Sequence, residues 1–182
     1  MNLRKIAGFA CALTLAAPLG FVLGTPSATA ATAVQTCGSL KGTVALSPGL
    51  STTPKSQTVT AKGNAAKCTP SKATGGAGTL AATTHIANGS CQALASGTTL
   101  PLKGSIKWKN GKTSSVTMNA KTTSKAPTTA NITGKVSAGL FAGKTITGQI
   151  KFTIVNTGSG SPCTPTNPVK KLTFTNSKPF VI

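Results

Sequence analysis

The chain has 182 residues, 19 of them basic, and contains neither aspartate nor glutamate, so its formal net charge at pH 7 is +19. Without carboxylate side chains it cannot build paired-carboxylate acid–base sites, Ser-His-Asp triads, or calcium and magnesium sites made of acidic residues. Since it also lacks tyrosine and has a single histidine, His85, we expect no enzyme, no cofactor and no metal site.

The first thirty residues have the order of regions that is typical of a secretory signal peptide. Arg4 and Lys5 precede an apolar run at 6–24, and the small residues of "TPSATA" follow it. We expect cleavage after Ala30 or, as a second choice, after Ala33. An uncleaved membrane anchor is the alternative, since the apolar run of 19 residues could just span a bilayer. With residues 1–30 removed, 31–182 form a single secreted domain.

Four cysteines remain in residues 31–182. In a secreted chain, two disulfides are the expected use of Cys37, Cys68, Cys91 and Cys163. A zinc site is the alternative, but the chain has no Cys-x-x-Cys pair to supply two ligands and only one histidine.

Polar and apolar residues alternate in short runs from residue 40 onwards, which predicts β-strands. Stretches rich in Gly, Pro, Ser and Asn separate the runs, which lie at 40–46, 57–66, 77–86, 102–109, 112–120, 130–137, 145–154 and 169–176. If the first two runs pair antiparallel, Cys37 lies beside Cys68, which leaves Cys91 and Cys163 to join two loops. The sequence alone allows three connectivities.

The segment 105–118, "SIKWKNGKTSSVTM", holds the only tryptophan and an Asn-Gly pair. Asn-Gly between β-prone residues is a strong hairpin signal. A two-residue turn would put the apolar residues of the two strands on opposite faces, whereas a three-residue loop at 109–111 brings them onto one face and uses glycine where φ is positive. We therefore expect the three-residue loop and a buried hairpin face made of Ile106, Trp108, Val116 and Met118.

The clearest strand is 145–154, in which Ile146, Gly148, Ile150, Phe152 and Ile154 share one face. Strict alternation over ten residues predicts one buried and one wet face. The predicted fold class is all-β: about eight antiparallel strands in a meander, forming a β-barrel or a two-sheet β-sandwich with two disulfides.

The positive charge suggests anionic partners but no specific nucleic acid. After Arg4 every basic residue is lysine, the lysines are scattered along the chain, and aromatic residues are few. Specific recognition uses arginine forks on guanine and aromatic stacking on bases, which this composition does not offer. Salt-sensitive adsorption to any polyanion is nevertheless expected.

Three segments resemble a family of small secreted β-rich proteins of actinobacteria that have no assigned activity. They are "CGSLKGTVALSPGL", "SIKWKNGKTSSVTM" and "GKVSAGLFAGKTITGQI", and the resemblance covers most of residues 35–176. It implies a secreted β domain and supplies no catalytic or binding residues. The chain departs from the family in having no acidic residue.

The first functional hypothesis is a non-enzymatic cationic domain at or near the cell envelope, held by charge on anionic cell-wall polymers or a membrane surface. The alternative is a carrier for a small apolar ligand, bound inside a β-barrel lined by Ile, Val, Phe and Trp108. The third is a cationic antimicrobial or toxin-like protein.

Overall fold

The computed structural model describes residues 34–123, 126–155 and 160–182, all of which belong to one compact unit, Thr32–Ile182. The predicted signal peptide (1–30) and both predicted cleavage sites lie outside the described residues.

Eight antiparallel strands form a closed β-barrel, in which each strand pairs with the next along the chain and the last pairs with the first. Of the two predicted architectures, the barrel is therefore the one observed. The strands are β1 (Thr36–Leu50), β2 (Lys55–Thr69), β3 (Ala77–Gly89), β4 (Thr99–Trp108), β5 (Thr113–Thr123), β6 (Ala126–Gly139), β7 (Thr145–Ile154) and β8 (Val169–Val181). A short helix, α1 (Cys91–Ala95), lies between β3 and β4, and a 3-10 turn, Ser71–Ala73, between β2 and β3.

The alternation of the sequence places apolar side chains inside the barrel. In β5, every second residue from Ser114 to Thr122 is buried and the residues between them are exposed. The lysines of the described residues all lie on exposed positions. Because successive side chains of a strand point to opposite faces, this period fixes which residues form the core.

Interior glycines leave room for the largest rings of the core. A Cβ at Gly42 would lie 2.6 Å from Cζ of Phe174, and one at Gly78 would lie 2.7 Å from Cε3 of Trp108. Real Cβ atoms do not approach so closely, so these two positions require glycine. Glycine in a strand interior commonly marks such a close approach.

The meander gives the barrel two different ends. The end called here the hairpin end holds the connections 70–76, 109–112 and 140–144, together with the start of β1 and the end of β8. The opposite end, called the helix end, holds the connections 51–54 and 90–98 and the described residues of the β7–β8 connection, 155 and 160–168. The helix α1 lies within 90–98.

Each end of the barrel carries one disulfide, and both predicted pairings are confirmed. Cys37–Cys68 joins directly paired residues of β1 and β2 at the hairpin end. Cys91–Cys163 joins the first residue of α1 to the β7–β8 connection at the helix end. Two disulfides are consistent with an extracellular or secreted protein.

The β4–β5 hairpin has the three-residue loop. The amide of Gly111 donates to the carbonyl of Trp108 (2.9 Å), the amide of Trp108 donates to the carbonyl of Lys112 (2.8 Å), and Gly111 has φ +84°. The side chains of Ile106, Trp108, Val116 and Met118 are all buried.

One residue of the predicted apolar face of β7 is not in the core. Ile146, Ile150 and Phe152 are buried, but Ile154 is 44% exposed. Ile154 is the last residue of its strand, at the helix end.

Candidate ligand cavity

The barrel interior is not completely filled. A cavity lies on the side of the barrel nearer the helix end, and all eight strands contribute to its wall. Representative lining residues are Val44, Leu80, Leu102, Met118, Ile132 and Phe152. Its volume is about 80 Å³. One water needs only about 10–15 Å³.

No polar atom is exposed to this cavity. A buried water needs two to four polar partners, and apolar cavities without them stay dry. The space therefore suits an apolar molecule and disfavours water.

Small side chains on part of the wall leave this space open. Ala61 of β2 and Ala120 of β5 line the cavity where larger residues would fill it. Elsewhere in the wall Phe152 and Phe174 pack edge to face, with ring centroids 6.5 Å apart. An eight-stranded barrel is just wide enough to be filled by its side chains or to hold one small ligand, and small side chains in its wall favour the second outcome.

The helix α1 covers the cavity at the helix end. Its residues Ala93 and Leu94 line the cavity, and α1 contacts β3, β5 and β6. The Ser90 hydroxyl caps α1 by accepting a hydrogen bond from the amide of Ala93 (3.1 Å). The amide of Cys91 donates to the carbonyl of Ser51 (3.0 Å). With the Cys91–Cys163 disulfide, these bonds hold the cover in place.

Polar groups near this cover are paired with the backbone. The Gln57 side chain accepts from the amide of Gly49 and donates to its carbonyl, both at 2.9 Å. The Thr98 hydroxyl donates to the carbonyl of Ala93, and the Thr122 hydroxyl donates to the carbonyl of Thr98. The cavity therefore offers a ligand dispersion contacts and no hydrogen-bonding group.

Trp108 closes the hairpin end and does not line the cavity, so the expectation that it would line a ligand site was wrong. Its indole N–H donates to the Ser114 hydroxyl (2.8 Å), which in turn donates to the carbonyl of Leu140. The Phe141 ring packs edge-on against the indole at 5.7 Å. These contacts fix Trp108 at its own end of the barrel. Of the four predicted hairpin core residues, Met118 alone reaches the cavity.

The histidine and the cysteines do not line the cavity. His85 is exposed, with Nδ1 3.2 Å from the Thr58 hydroxyl on the neighbouring strand. The four cysteines of the described residues are all in disulfides. Within the described ranges no three His, Cys, Asp or Glu side chains are grouped as a metal site would require.

Comparison with protein-family models, with curated proteins and with solved structures finds no match for this chain. The resemblance to small secreted proteins of actinobacteria stays a prediction. Among the residues that the structure describes, none of the helices has the length and apolar character needed to cross a membrane.

Proposed function

We propose that this barrel binds one small, uncharged apolar molecule in the cavity beneath α1. The observation that carries this proposal is an unfilled interior in which no polar atom is exposed. Ligand sites are typically concave, mostly apolar and preformed, and the interiors of small β-barrels are among their usual locations.

An empty cavity has an energetic cost that a ligand would remove. Side chains that face unfilled space have no partner atoms on that side and lose those dispersion contacts. An apolar ligand restores the missing dispersion contacts and buries its own apolar surface. Binding would therefore stabilise the folded protein as well as sequester the ligand.

The cavity wall also restricts the chemistry of the ligand. A hydroxyl or amide placed inside would lose its hydrogen bonds to water and find no partner, at a cost of about 2–7 kcal/mol. A carboxylate would cost more. The ligand class is therefore a hydrocarbon-like molecule, an aryl or alkyl group without polar substituents.

An uncharged fluorescent probe tests this proposal, because an anionic dye would also adsorb to the lysines. We expect naphthalene, a fluorescent hydrocarbon without polar groups, or toluene in competition with it, to bind saturably at one site. Ala120→Leu fills the cavity and is expected to weaken binding at least tenfold. Ala81→Leu, the same substitution at an exposed position of β3, is the matched control. Equal binding by both variants would contradict the proposed site.

Attachment by charge to anionic cell-wall polymers or a membrane surface, at or near the cell envelope, is a second candidate function. It is favoured by the exposure of every lysine in the described residues of a chain that has no acidic residue. Co-sedimentation with purified cell walls across a salt series tests it. Binding at low salt that disappears by a few hundred millimolar salt is the expected result, and no binding at low salt would rule it out.

A further inference from the structure

The aromatic side chains of the cavity wall come from two adjacent strands. Phe152 of β7 and Phe174 and Phe180 of β8 line the cavity, and all three are buried. Among the described residues, those that β1 to β6 contribute to the wall are not aromatic. In a closed ring of eight strands, β3 and β4 lie across the barrel from β7 and β8. The wall therefore has an aromatic side and an aliphatic side.

The Phe174 ring rests on a pair of glycines. Gly42 of β1 and Gly63 of β2 are directly paired, and a Cβ built on them would lie 2.6 Å and 2.9 Å from Cζ of Phe174. The tip of the ring therefore occupies space that side chains at these two positions would fill. Bare backbone beneath the ring fixes where it lies in the wall.

The Phe152 ring holds the Phe174 ring from the other neighbouring strand. Phe152 and Phe174 are paired across β7 and β8, and their rings pack edge to face with an interplanar angle of 76°. Glycines on one side and a second ring on the other thus orient Phe174 before any ligand enters. Such preorganisation lowers the cost of binding, since the wall loses little freedom when it is occupied.

An aromatic wall distinguishes ligands that have equal numbers of carbon atoms. A saturated hydrocarbon gains only dispersion contacts from the rings, whereas an aromatic ligand also gains edge-to-face or offset-stacked contacts. Met118 of β5 adds a thioether sulfur to the wall, which also interacts favourably with aromatic rings. The composition of the wall thus favours an aryl ligand over an alkyl one.

We propose that the cavity selects an aromatic hydrocarbon over a saturated one of the same carbon number, and that Phe152 and Phe174 are its specificity-determining residues. This inference rests on the proposed function, since it narrows the ligand class of the same cavity.

The probes that test this selection are toluene and methylcyclohexane, which both have seven carbon atoms and no polar group. Displacement of naphthalene gives the dissociation constant of each, and the ratio of the two constants measures selectivity. Comparing this ratio between proteins cancels the different aqueous solubilities of the probes. We expect Phe152→Leu and Phe174→Leu each to lower the preference for toluene about threefold or more. The control Ile132→Val removes a methyl group from the aliphatic wall, and we expect it to change the ratio less than twofold.

The unmodified protein supplies a second measurement that does not depend on the folding of the variants. We expect it to favour toluene over methylcyclohexane about threefold more than partition of the two from water into cyclohexane does. Circular dichroism melting verifies that each variant is folded.

The outcomes separate this selection from ligand binding itself. Binding of both probes by the unmodified protein without that excess, or equal ratios in all folded variants, overturns the selection and leaves the proposed function standing. No binding of either probe up to its aqueous solubility overturns both.

Discussion

At the scale of single residues, two buried glutamines show how hydrogen bonding decides whether a polar side chain stabilises the core. Gln35 and Gln57 are each 1% exposed. Gln57 pairs with both backbone groups of Gly49, whereas neither amide atom of Gln35 has a partner among the described residues. An unpaired buried amide costs about 1–3 kcal/mol, so the same residue type has opposite effects at these two positions.

Substitution of each glutamine by methionine tests this contrast. Gln57→Met leaves the Gly49 amide and carbonyl unpaired, so we expect the free energy of unfolding to fall by about 1–3 kcal/mol. Gln35→Met removes an unpaired polar group at similar volume, and we expect the free energy of unfolding to rise by about 1 kcal/mol. Urea unfolding of both variants gives the comparison. Equal destabilisation by the two substitutions would contradict it.

At the scale of elements, the alternation of the sequence was sufficient to place the eight strands but not their ends. The first run, 40–46, lies inside a strand that extends over Thr36–Leu50. The added residues include Ser47, which pairs with Thr58, and Leu50, which pairs with Val169. Because the barrel is closed, both edges of every strand have a partner strand. Turn-prone residues at the strand ends therefore remain paired with neighbouring strands. Closure is a property of the whole sheet and leaves no local signal.

The helix α1 and the cavity were beyond prediction for different reasons. Five residues are too few for a helical period to be recognised, and the N-cap Ser90 before "CQALA" is the one local signal. The cavity depends on how side chains from eight strands meet. The predicted loop at 109–111 places Trp108 at the end of its strand, but the alternation does not tell which side chains of the other strands lie at each height along the barrel axis.

The two disulfides are expected to have different roles because they lie at different ends. Cys91→Ser/Cys163→Ser frees the cover over the cavity, and we expect the rate constant for release of a bound apolar probe to rise about tenfold or more. Cys37→Ser/Cys68→Ser is expected to lower the free energy of unfolding by about 2–5 kcal/mol without a comparable change in that rate constant. Stopped-flow dilution of the probe complex measures the release. Equal release from both variants would contradict the role given to α1.

At the scale of the whole molecule, the unbalanced charge determines how stability responds to salt. A folded domain with the length of residues 31–182 has about 7,000 Å² of accessible surface, so its neighbouring lysines lie about 20 Å apart on average. The Debye length is about 8 Å at physiological salt and about 30 Å at 10 mM salt. Repulsion between the lysines is therefore largely screened at physiological salt, whereas at 10 mM salt the repulsion of many lysine pairs adds up. We expect the melting temperature to rise between 10 and 150 mM sodium chloride. A flat melting temperature across this range would contradict the expectation.

The same composition predicts a weak response to acid. Stability depends on pH only where the folded and unfolded states bind different numbers of protons. Acid unfolding usually comes from carboxylates that are paired in the native state, and this chain has no side-chain carboxylate. We expect the melting temperature at about pH 2 to lie within about 5 °C of its value at pH 7, as measured by circular dichroism. A cooperative unfolding transition near pH 3–4 would contradict this expectation.

The central claim, that the barrel holds an apolar ligand, has a natural reporter in Met118. Met118 lines the cavity, and the chain's other methionine is Met1, in the predicted signal peptide. We would label the methionine methyl groups with ¹³C and titrate the protein with toluene. We predict a saturable shift of the Met118 methyl resonance that Ala120→Leu abolishes and Ala81→Leu preserves. No shift up to the aqueous solubility of toluene, or a shift that persists in Ala120→Leu, would contradict ligand binding in this cavity.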